Sequence, residues 1–287
     1  MATPRVLVLR APGTNCDQET AFAFEVAGGR TDVLHVNRLL ERSGLIDEYQ
    51  ILCLPGGFSY GDDLGAGRIF SNQLRQHLAD RLRDFHAAGN LILGICNGFQ
   101  VLMRTGLLVQ EDDAGPPASL TQNDSGKFED RWVALSAEAE QCVFLRGVET
   151  LYLPIAHAEG KFVFRDETAA ERLAERGQLA LRYRPAQSLV SKSQPSAEYR
   201  AAATTGTSTS NAAATATLDA TTDYPANPNG SHGDVAGICD ASGRVLGLMP
   251  HPERHIDPTQ HPCWTRIGRR ESGDGLALFR NAIAYFA

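Results

Sequence analysis

The chain has 287 residues, of which 43% are hydrophobic and 21% charged, proportions typical of globular proteins. These values exclude wholesale disorder and fibrous repeats, and no apolar run reaches the roughly 18 residues that a transmembrane helix needs. The net charge of −7 and the lack of a basic stripe argue against nucleic-acid binding. Because the sequence shows no signal peptide and its six cysteines include no C-x-x-C pair, we expect a cytoplasmic protein that binds neither membranes nor nucleic acid.

The N-terminal half alternates short apolar strands with helices. A helix is predicted after the cap-type residues near Asp17, and the helical spacing of Leu74, Leu78, Leu82 and Phe85 predicts an amphipathic helix that ends at Gly89. Continuous apolar strands between helices are typical of a parallel sheet covered on both faces. We therefore expect a three-layer αβα fold with a mostly parallel central sheet. The predicted strands are Arg5–Leu9, Asp32–Val36, Gln50–Leu54 and Asn90–Ile95.

The second half contains weaker strand patterns and one tract of low complexity. The tract, about 186–222, is rich in Ala, Thr and Ser, and we expect it to be a disordered insertion in a single domain spanning 1–287. A hairpin is predicted around the turn Asp240–Gly243, and a helix closes the chain at Gly275–Phe286. The predicted strands are Arg131–Leu135, Thr150–Ile155, Lys161–Phe164, Leu179–Tyr183, Val235–Cys239 and Arg244–Met249.

The segment Gly94–Gly98 has the pattern G-x-C-x-G between an apolar strand and a helical pattern. This is the cysteine form of a nucleophile elbow, in which small neighbours allow strand and helix to pass closely. Cys96 would then lie at a helix N-terminus, where the dipole favours a thiolate, and the Asn97 amide would be able to donate to an oxyanion. A buried structural cysteine is the alternative, but ligand sites in such sheets lie at the carboxyl ends of strands, as Cys96 does.

A second glycine-rich loop, Pro55–Asp62, follows the preceding strand and therefore lies at the same edge of the predicted sheet. The paired glycines Gly56 and Gly57 allow the backbone to approach a ligand and leave amides available as donors. An ordinary turn is the alternative for this loop alone, and the neighbouring elbow favours a site.

A thiol nucleophile needs a base, and two H-x-E pairs could supply one: His157 with Glu159, and His251 with Glu253. In an extended segment residues two apart point the same way, so the carboxylate can orient the imidazole. We favour His251 and Glu253 because they directly follow an apolar strand and are stiffened by neighbouring prolines. His157 and Glu159 are expected in a surface loop or at a partner contact.

The sequence favours neither a metal site nor a nucleotide site. The residues His251, Glu253, His255, His261 and Cys263 cluster in sequence, but the C-x-x-C of zinc deaminases and the H-E-x-x-H helix motif are missing. Neither G-K-[ST] nor a G-x-G-x-x-G after a strand occurs in the sequence. We therefore predict no metal and no nucleotide site on this chain.

Six segments together resemble class I, triad-type glutamine amidotransferases, a family with a flavodoxin-like fold. More narrowly, the chain is similar to the glutaminase subunits of phosphoribosylformylglycinamidine synthase. The segments are GTNCD at 13–17, GGFSYGD at 56–62, GICNGFQ at 94–100, PIAHAEG at 154–160, NPNGS at 227–231 and GLMPHPER at 247–254.

The resemblance implies a role for each matching residue. Cys96 would be the nucleophile, His251 the base and Glu253 the residue that orients it. The oxyanion and substrate-binding residues would be Gly56, Gly57, Asn97 and Gln100, with the amides of Gly57 and Asn97 forming the oxyanion hole.

The resemblance also implies a reaction and partners. L-Glutamine would be hydrolysed through a cysteine thioester, and the ammonia would pass to a large synthetase subunit that converts formylglycinamide ribonucleotide to formylglycinamidine ribonucleotide in purine biosynthesis. That large subunit would bind ATP and Mg²⁺, this chain would bind no cofactor, and a small accessory subunit would complete the complex. The alternatives are an amidotransferase or thiol hydrolase of another pathway, and a non-enzymatic chain with an inactive amidotransferase fold.

Overall fold

A computed structural model describes residues 3–186, 222–267 and 270–287. Eleven β-strands lie within these residues. They are β1 (Arg5–Arg10), β2 (Arg30–His35), β3 (Ile51–Leu54), β4 (Leu91–Ile95), β5 (Ala118–Thr121), β6 (Glu129–Ala137), β7 (Thr150–His157), β8 (Lys161–Phe164), β9 (Leu179–Arg184), β10 (Val235–Cys239) and β11 (Val245–Leu248).

Eight α-helices occur in the same part of the chain. They are α1 (Asp17–Val26), α2 (Val36–Glu41), α3 (Arg68–His77), α4 (Ala79–Ala87), α5 (Asn97–Met103), α6 (Glu167–Glu175), α7 (Trp264–Ile267) and α8 (Leu276–Ala284). Helix α1 packs on α8, where the rings of Phe24 and Phe279 meet edge to face with centroids 4.8 Å apart. Helix α3 packs on α5, which lies against β3, β4 and β11.

Nine strands form one sheet in the order β2-β1-β3-β4-β11-β10-β9-β6-β7, and β5 pairs with β8 in a small second sheet. The first five strands of the large sheet run parallel, and the remaining four join by antiparallel pairing. The predicted αβα fold with a largely parallel central sheet is confirmed. The predicted hairpin is also confirmed, because β10 and β11 pair antiparallel across the Asp240–Gly243 turn.

The parallel register brings three chain segments to one edge. Leu54 of β3 pairs with Gly94 of β4, and Leu248 of β11 pairs with Ile95, so the carboxyl ends of these three strands are level. All three strands are fully buried, which explains their continuous apolar sequences. The loops that follow them carry Gly56, Cys96 and His251, and these residues therefore meet at the same edge of the sheet.

The prediction of one amphipathic helix carrying Leu74 to Phe85 and ending at Gly89 is wrong in one respect, because the helix is broken into α3 and α4 at Leu78. Leu78 has φ −127° and ψ 4°, outside the helical region, yet its side chain is buried like those of Leu74 and Leu82. The apolar spacing continues across the break, so periodicity could not reveal it. Helices α2, α6 and α7 and strand β5 were not predicted.

The predicted insertion at 186–222 lies outside the described residues except at its two ends, and the single-domain organisation stays a prediction. No helix in the described ranges is both long and apolar enough to cross a membrane.

Candidate active site

Cys96 occupies a strained turn between β4 and α5. Its φ of 50° and ψ of −107° lie outside the ordinary regions for a side-chain-bearing residue, and its N–H donates to the carbonyl of Leu248 at 2.8 Å. A Cβ at Gly98 would lie 1.8 Å from the Leu54 carbonyl oxygen, and one at Gly94 would lie 2.6 Å from Leu102 Cδ1. The steric need for small residues on both sides of the cysteine, predicted from G-x-C-x-G, is therefore found in the structure.

Replacing Gly98 with alanine is expected to destabilise the fold by about 3 kcal/mol or more, because neither backbone can move away from the new methyl group. Urea denaturation would measure the loss. Gly44→Ala is the matched control, because no atom lies within 4 Å of a Cβ at Gly44. Equal stability of Gly98→Ala and the control would contradict the geometry of the elbow.

His251 and Glu253 are joined by a short hydrogen bond. His251 Nδ1 and Glu253 Oε1 are 2.6 Å apart, and both side chains are almost completely buried. The segment is not extended as predicted, since Pro252–Arg254 forms a 3₁₀ turn. Proline fits the first position of a helical turn because its φ is already suitable and its missing N–H is not needed. The turn still brings the carboxylate to the imidazole.

Charge and burial act in opposite directions on His251. Burial lowers the pKa of its imidazole, but the Glu253 carboxylate and the thiols of Cys96 and Cys16 raise it, so that the pKa is well above its ordinary value. Nε2 of His251 is buried with no partner in hydrogen-bonding geometry, although both thiols lie close enough to affect its charge. With Nδ1 held by Glu253, Nε2 is the nitrogen left for proton exchange.

The glycine loop lies directly beside the imidazole. A Cβ at Gly56 would lie 2.8 Å from His251 Cε1, and one at Gly57, where φ is 139°, would lie 2.6 Å from the Asn15 nitrogen. The Asn97 N–H is the first of α5 and so has no carbonyl partner within the helix. Asn97 Oδ1 accepts from the Ser59 N–H at 3.2 Å, which ties the glycine loop to the elbow.

Gln100 lies one helical turn after Cys96 in a buried amide network. Its Oε1 accepts from Asn97 Nδ2 at 3.0 Å, and its Nε2 donates to the carbonyl of Glu159 at 2.6 Å. Asn97 Nδ2 also donates to Asp62 Oδ1 at 3.1 Å. Burial raises the pKa of the Asp62 carboxyl despite its hydrogen bonds. The structure thus brings together all seven predicted site residues, while their catalytic and binding roles stay proposals.

His157 is not in a surface loop, and that prediction is wrong. It is the last residue of β7, is 3% exposed, and its Nδ1 lies 3.2 Å from Asn123 Oδ1. Burial, followed by the charge of nearby His251, lowers the pKa of His157 to about 3. A Cβ at Gly160 would lie 2.1 Å from the His157 ring, so the glycine after the H-x-E pair was the signal for a packed histidine.

His157→Gln is expected to make the protein less sensitive to acid. The folded protein keeps His157 neutral down to about pH 3, whereas the unfolded chain takes up the proton near pH 6.5. As pH falls from 7 to 5, this difference removes about 2 kcal/mol of stability from the wild type and none from the variant. Urea denaturation at both pH values would measure the two slopes. Identical pH slopes would show that His157 titrates normally.

Two buried residues, Cys16 near His251 and Tyr183 near Cys96, were not assigned a role from sequence. Cys16 is 1% exposed, accepts from Arg254 Nη2 at 3.1 Å, and has a pKa raised to about 11, mainly by burial. Tyr183 is fully buried, and its hydroxyl accepts from Asn229 Nδ2 at 3.0 Å. Burial raises the pKa of Tyr183, and so does the charge of Cys96, which places the phenol near the nucleophile. In the sequence, the motif GTNCD contains Cys16 and the motif NPNGS contains Asn229, the partner of Tyr183. Nothing else in the sequence indicated either residue.

The histidine-rich segment considered for zinc does not converge on one point. His255 Nδ1 lies 2.8 Å from the Tyr152 carbonyl oxygen, His261 packs against the ring of Trp132, and Cys263 is exposed. In the described part of the chain, one group has metal-ligand atoms within 4.8 Å of one another, namely Cys16, His251 and Glu253. In that group the imidazole is already hydrogen bonded to the carboxylate and the sulfur to a guanidinium, an arrangement that suits acid–base chemistry.

Comparisons with known proteins place the chain in a family. The model of the CobB/CobQ-like glutamine amidotransferase domain matches residues 3–205 and 209–286. The phosphoribosylformylglycinamidine synthase subunit PurQ of Dehalococcoides mccartyi is 42% identical over 99% of this chain and 98% of its own length. The PurQ subunit of Archaeoglobus fulgidus is 37% identical over 98% of this chain and 96% of its own.

Solved structures extend the comparison. A chain of the PurLQS structure from Thermotoga maritima superposes with a TM-score of 0.68 at 29% identity, covering 100% of both chains. A GMP synthase-type protein from Thermoplasma acidophilum, 12% identical with a TM-score of 0.54 over 99% of this chain and 94% of its own, shares the fold. The chain belongs to the CobB/CobQ-like glutamine amidotransferases and, within them, to the family of PurQ subunits of phosphoribosylformylglycinamidine synthase.

Proposed function

We propose that this chain is the glutaminase subunit of a phosphoribosylformylglycinamidine synthase. The observation that carries the proposal is a thiol on a strained elbow beside a buried histidine whose far nitrogen is fixed by a carboxylate 2.6 Å away. Nucleophile, base and orienting group in this arrangement are those of acyl transfer. The PurQ relatives support the assignment to purine biosynthesis.

The chemistry follows from the positions of the groups. The Cys96 thiol gives its proton to His251 Nε2 and its sulfur attacks the side-chain amide carbon of L-glutamine, while the N–H groups of Gly57 and Asn97 donate to the oxyanion that forms. His251 Nε2 gives its proton to the leaving nitrogen, which departs as ammonia and leaves a γ-glutamyl thioester on Cys96. The imidazole then takes a proton from water as the water attacks the thioester. Glutamate is released and the thiol is restored, so one water is consumed for each ammonia formed.

The ammonia is consumed on another subunit. In this proposal a large synthetase subunit binds ATP and Mg²⁺ and uses the ammonia to convert formylglycinamide ribonucleotide to formylglycinamidine ribonucleotide. A small accessory subunit completes the complex, which works in the cytoplasm. The match to a chain of the PurLQS structure supports partners of this kind.

Co-purification from the source cell tests the proposal. The chain should co-purify with a synthetase subunit, and the complex should form formylglycinamidine ribonucleotide with either L-glutamine or ammonium salts as nitrogen donor. The isolated chain should hydrolyse glutamine more slowly than the complex, because the glycine loop is expected to need the partner contact to set the oxyanion hole. Hydrolysis of peptides or esters with no preference for glutamine would instead favour a thiol hydrolase of another pathway.

A further inference from the structure

The loop of residues 12–16 joins β1 to α1 and runs antiparallel to the glycine loop. The Cys16 N–H donates to the carbonyl of Gly56 at 3.2 Å. On the other side of the same pairing, the Phe58 N–H donates to the carbonyl of Gly13 at 3.0 Å. These two bonds form a short antiparallel ladder, so the position of the glycine loop depends on the 12–16 loop and not only on its own turn.

The register of this ladder decides which way each N–H of the glycine loop points. Thr14 and Gly57 face each other between the two bonds and are therefore a non-hydrogen-bonded pair. The N–H groups of such a pair point away from the partner strand. The alternation continues along the loop, because the Ser59 N–H donates to Asn97 Oδ1 at the elbow, whereas the Tyr60 N–H donates back to the 12–16 loop at 2.7 Å. The Gly57 N–H is thus directed to the side on which the elbow lies.

Two glycines allow the loops to approach this closely. Gly13 has a φ of 85°, and a Cβ there would lie 2.1 Å from the carbonyl oxygen of Phe58. Across the ladder, a Cβ at Gly57 would lie 2.8 Å from Thr14 Cα. A side chain at position 13 must therefore push the backbone of the glycine loop away. Since Gly57 lies between the two ladder bonds, that displacement turns its N–H.

Thr14 fixes the 12–16 loop to the end of β1. Its N–H donates to the carbonyl of Ala11 at 3.1 Å, and its Oγ1 accepts from the Ala11 N–H at 3.1 Å. Ala11 is buried and directly follows β1. Because β1 pairs with β3, the strand that leads into the glycine loop, both loops are anchored in the same part of the sheet. The Thr14 hydroxyl therefore contributes to the register of the ladder.

Resting on the proposed glutaminase activity, we propose that the 12–16 loop is a positioning element for the oxyanion hole. Gly13 and Thr14 hold the glycine loop in the register that directs the Gly57 N–H at the oxygen of the tetrahedral intermediate. They contact neither the substrate nor the reacting sulfur and act only through this N–H. An oxyanion donor contributes in the transition state and not in the bound ground state, so the loop should govern kcat and leave KM unchanged.

Gly13→Ala tests this role in the complex with the synthetase subunit. The new methyl group should displace the Phe58 backbone and lower kcat for glutamine about 10- to 100-fold, with KM within about three-fold of the wild type. Gly28→Ala is the matched control. Gly28 follows α1 with a similar φ of 96°, and no atom of the described chain lies within 4 Å of a Cβ there. Both variants carry similar backbone strain, but only Gly13→Ala should lose kcat.

Alkylation with iodoacetamide separates a displaced N–H from a damaged site. The Cys96 sulfur displaces iodide from a saturated carbon, its proton passes to His251, and no oxyanion forms. Gly13→Ala should therefore alkylate Cys96 at the wild-type rate, measured by mass spectrometry of the peptide that carries this cysteine. A fall in the alkylation rate by the same factor as kcat would assign Gly13 a structural role and overturn the proposal.

Thr14→Val and Thr14→Ser form a milder test that involves no steric clash. Valine keeps the shape but leaves the Ala11 N–H without its acceptor, and it should lower kcat about 3- to 10-fold. Serine keeps the hydroxyl and should retain the wild-type kcat; a loss with valine that equals the loss with serine would contradict the role of the hydroxyl. Unchanged kcat in both Gly13→Ala and Thr14→Val would overturn only the positioning element, whereas no glutamine turnover by the wild-type complex would overturn the proposed function as well.

Discussion

Cys96→Ala is expected to lower glutamine hydrolysis by at least about 10⁴-fold, because no other group can form the thioester. Cys16 also lies near the imidazole, but burial raises its pKa to about 11, so it is a thiol at neutral pH. Its sulfur is also engaged by Arg254. The measurement is glutamate release from L-glutamine by the complex. Formation of product from added ammonium salts should continue, because the methyl group at position 96 leaves the synthetase untouched.

Two controls make this result interpretable. Cys263→Ala removes an exposed thiol outside the site and should retain full glutaminase activity. A glutamine-analogue electrophile should add its mass once to the wild type and not at all to Cys96→Ala. If the variant kept its activity, or if the label moved to Cys16 in the wild type, Cys96 would not be the nucleophile.

The elbow could be predicted because its constraint is local. Gly94, Cys96 and Gly98 lie within five residues, and a Cβ at Gly94 of β4 would lie 2.7 Å from the Gly98 carbonyl oxygen of α5. A pattern of that length records a contact between a strand and the helix that follows it. The parallel half of the sheet was predictable for a similar reason, since fully buried strands require continuous apolar sequence.

The environment of the histidine could not be predicted in the same way. The Cys16 sulfur meets Arg254 across 238 residues, and the Cys96 sulfur lies 3.8 Å from the Ala156 carbonyl oxygen across 60. Such contacts depend on how distant segments are placed by the fold. No spacing within one segment could have shown that Cys16 lies against the imidazole or that Tyr183 lies near the nucleophile.

The two H-x-E pairs show the limit of a short pattern. His251 meets Glu253 at 2.6 Å, whereas His157 turns to Asn123, and its neighbour Glu159 turns to the Ala66 amide. The sequence distinguished the pairs only through the strand and prolines around the second one. The first pair was placed at the surface because the one local sign of packing, the glycine at position 160, shows its meaning only beside the His157 ring.

Glu253→Gln is expected to lower kcat for glutamine by about 10² to 10⁴-fold while leaving KM within a few-fold of the wild type. The carboxylate fixes Nδ1 of His251, so Nε2 faces the site, and it favours the imidazolium form that delivers the proton to ammonia. A neutral amide retains the shape but can present an N–H to Nδ1, which would stabilise the wrong tautomer. Steady-state kinetics of the complex would measure both constants.

Glu253→Gln should also lower the pKa of His251, an effect that separates loss of the carboxylate charge from a packing defect. Glu253 is the largest of the contributions that raise the pKa of His251, and burial opposes it. Without the carboxylate, burial dominates, the pKa falls, and the imidazolium persists only at lower pH. As pH rises, steps that require the protonated imidazole should therefore lose rate at a lower pH in Glu253→Gln than in the wild type. NMR of the His251 ring should report the same downward shift in pKa. Glu253→Asp, which restores a charge on a shorter side chain, should move the pKa of His251 part of the way back. A pKa of His251 that stayed high in Glu253→Gln would show that the thiols, and not this carboxylate, hold the proton on the imidazole.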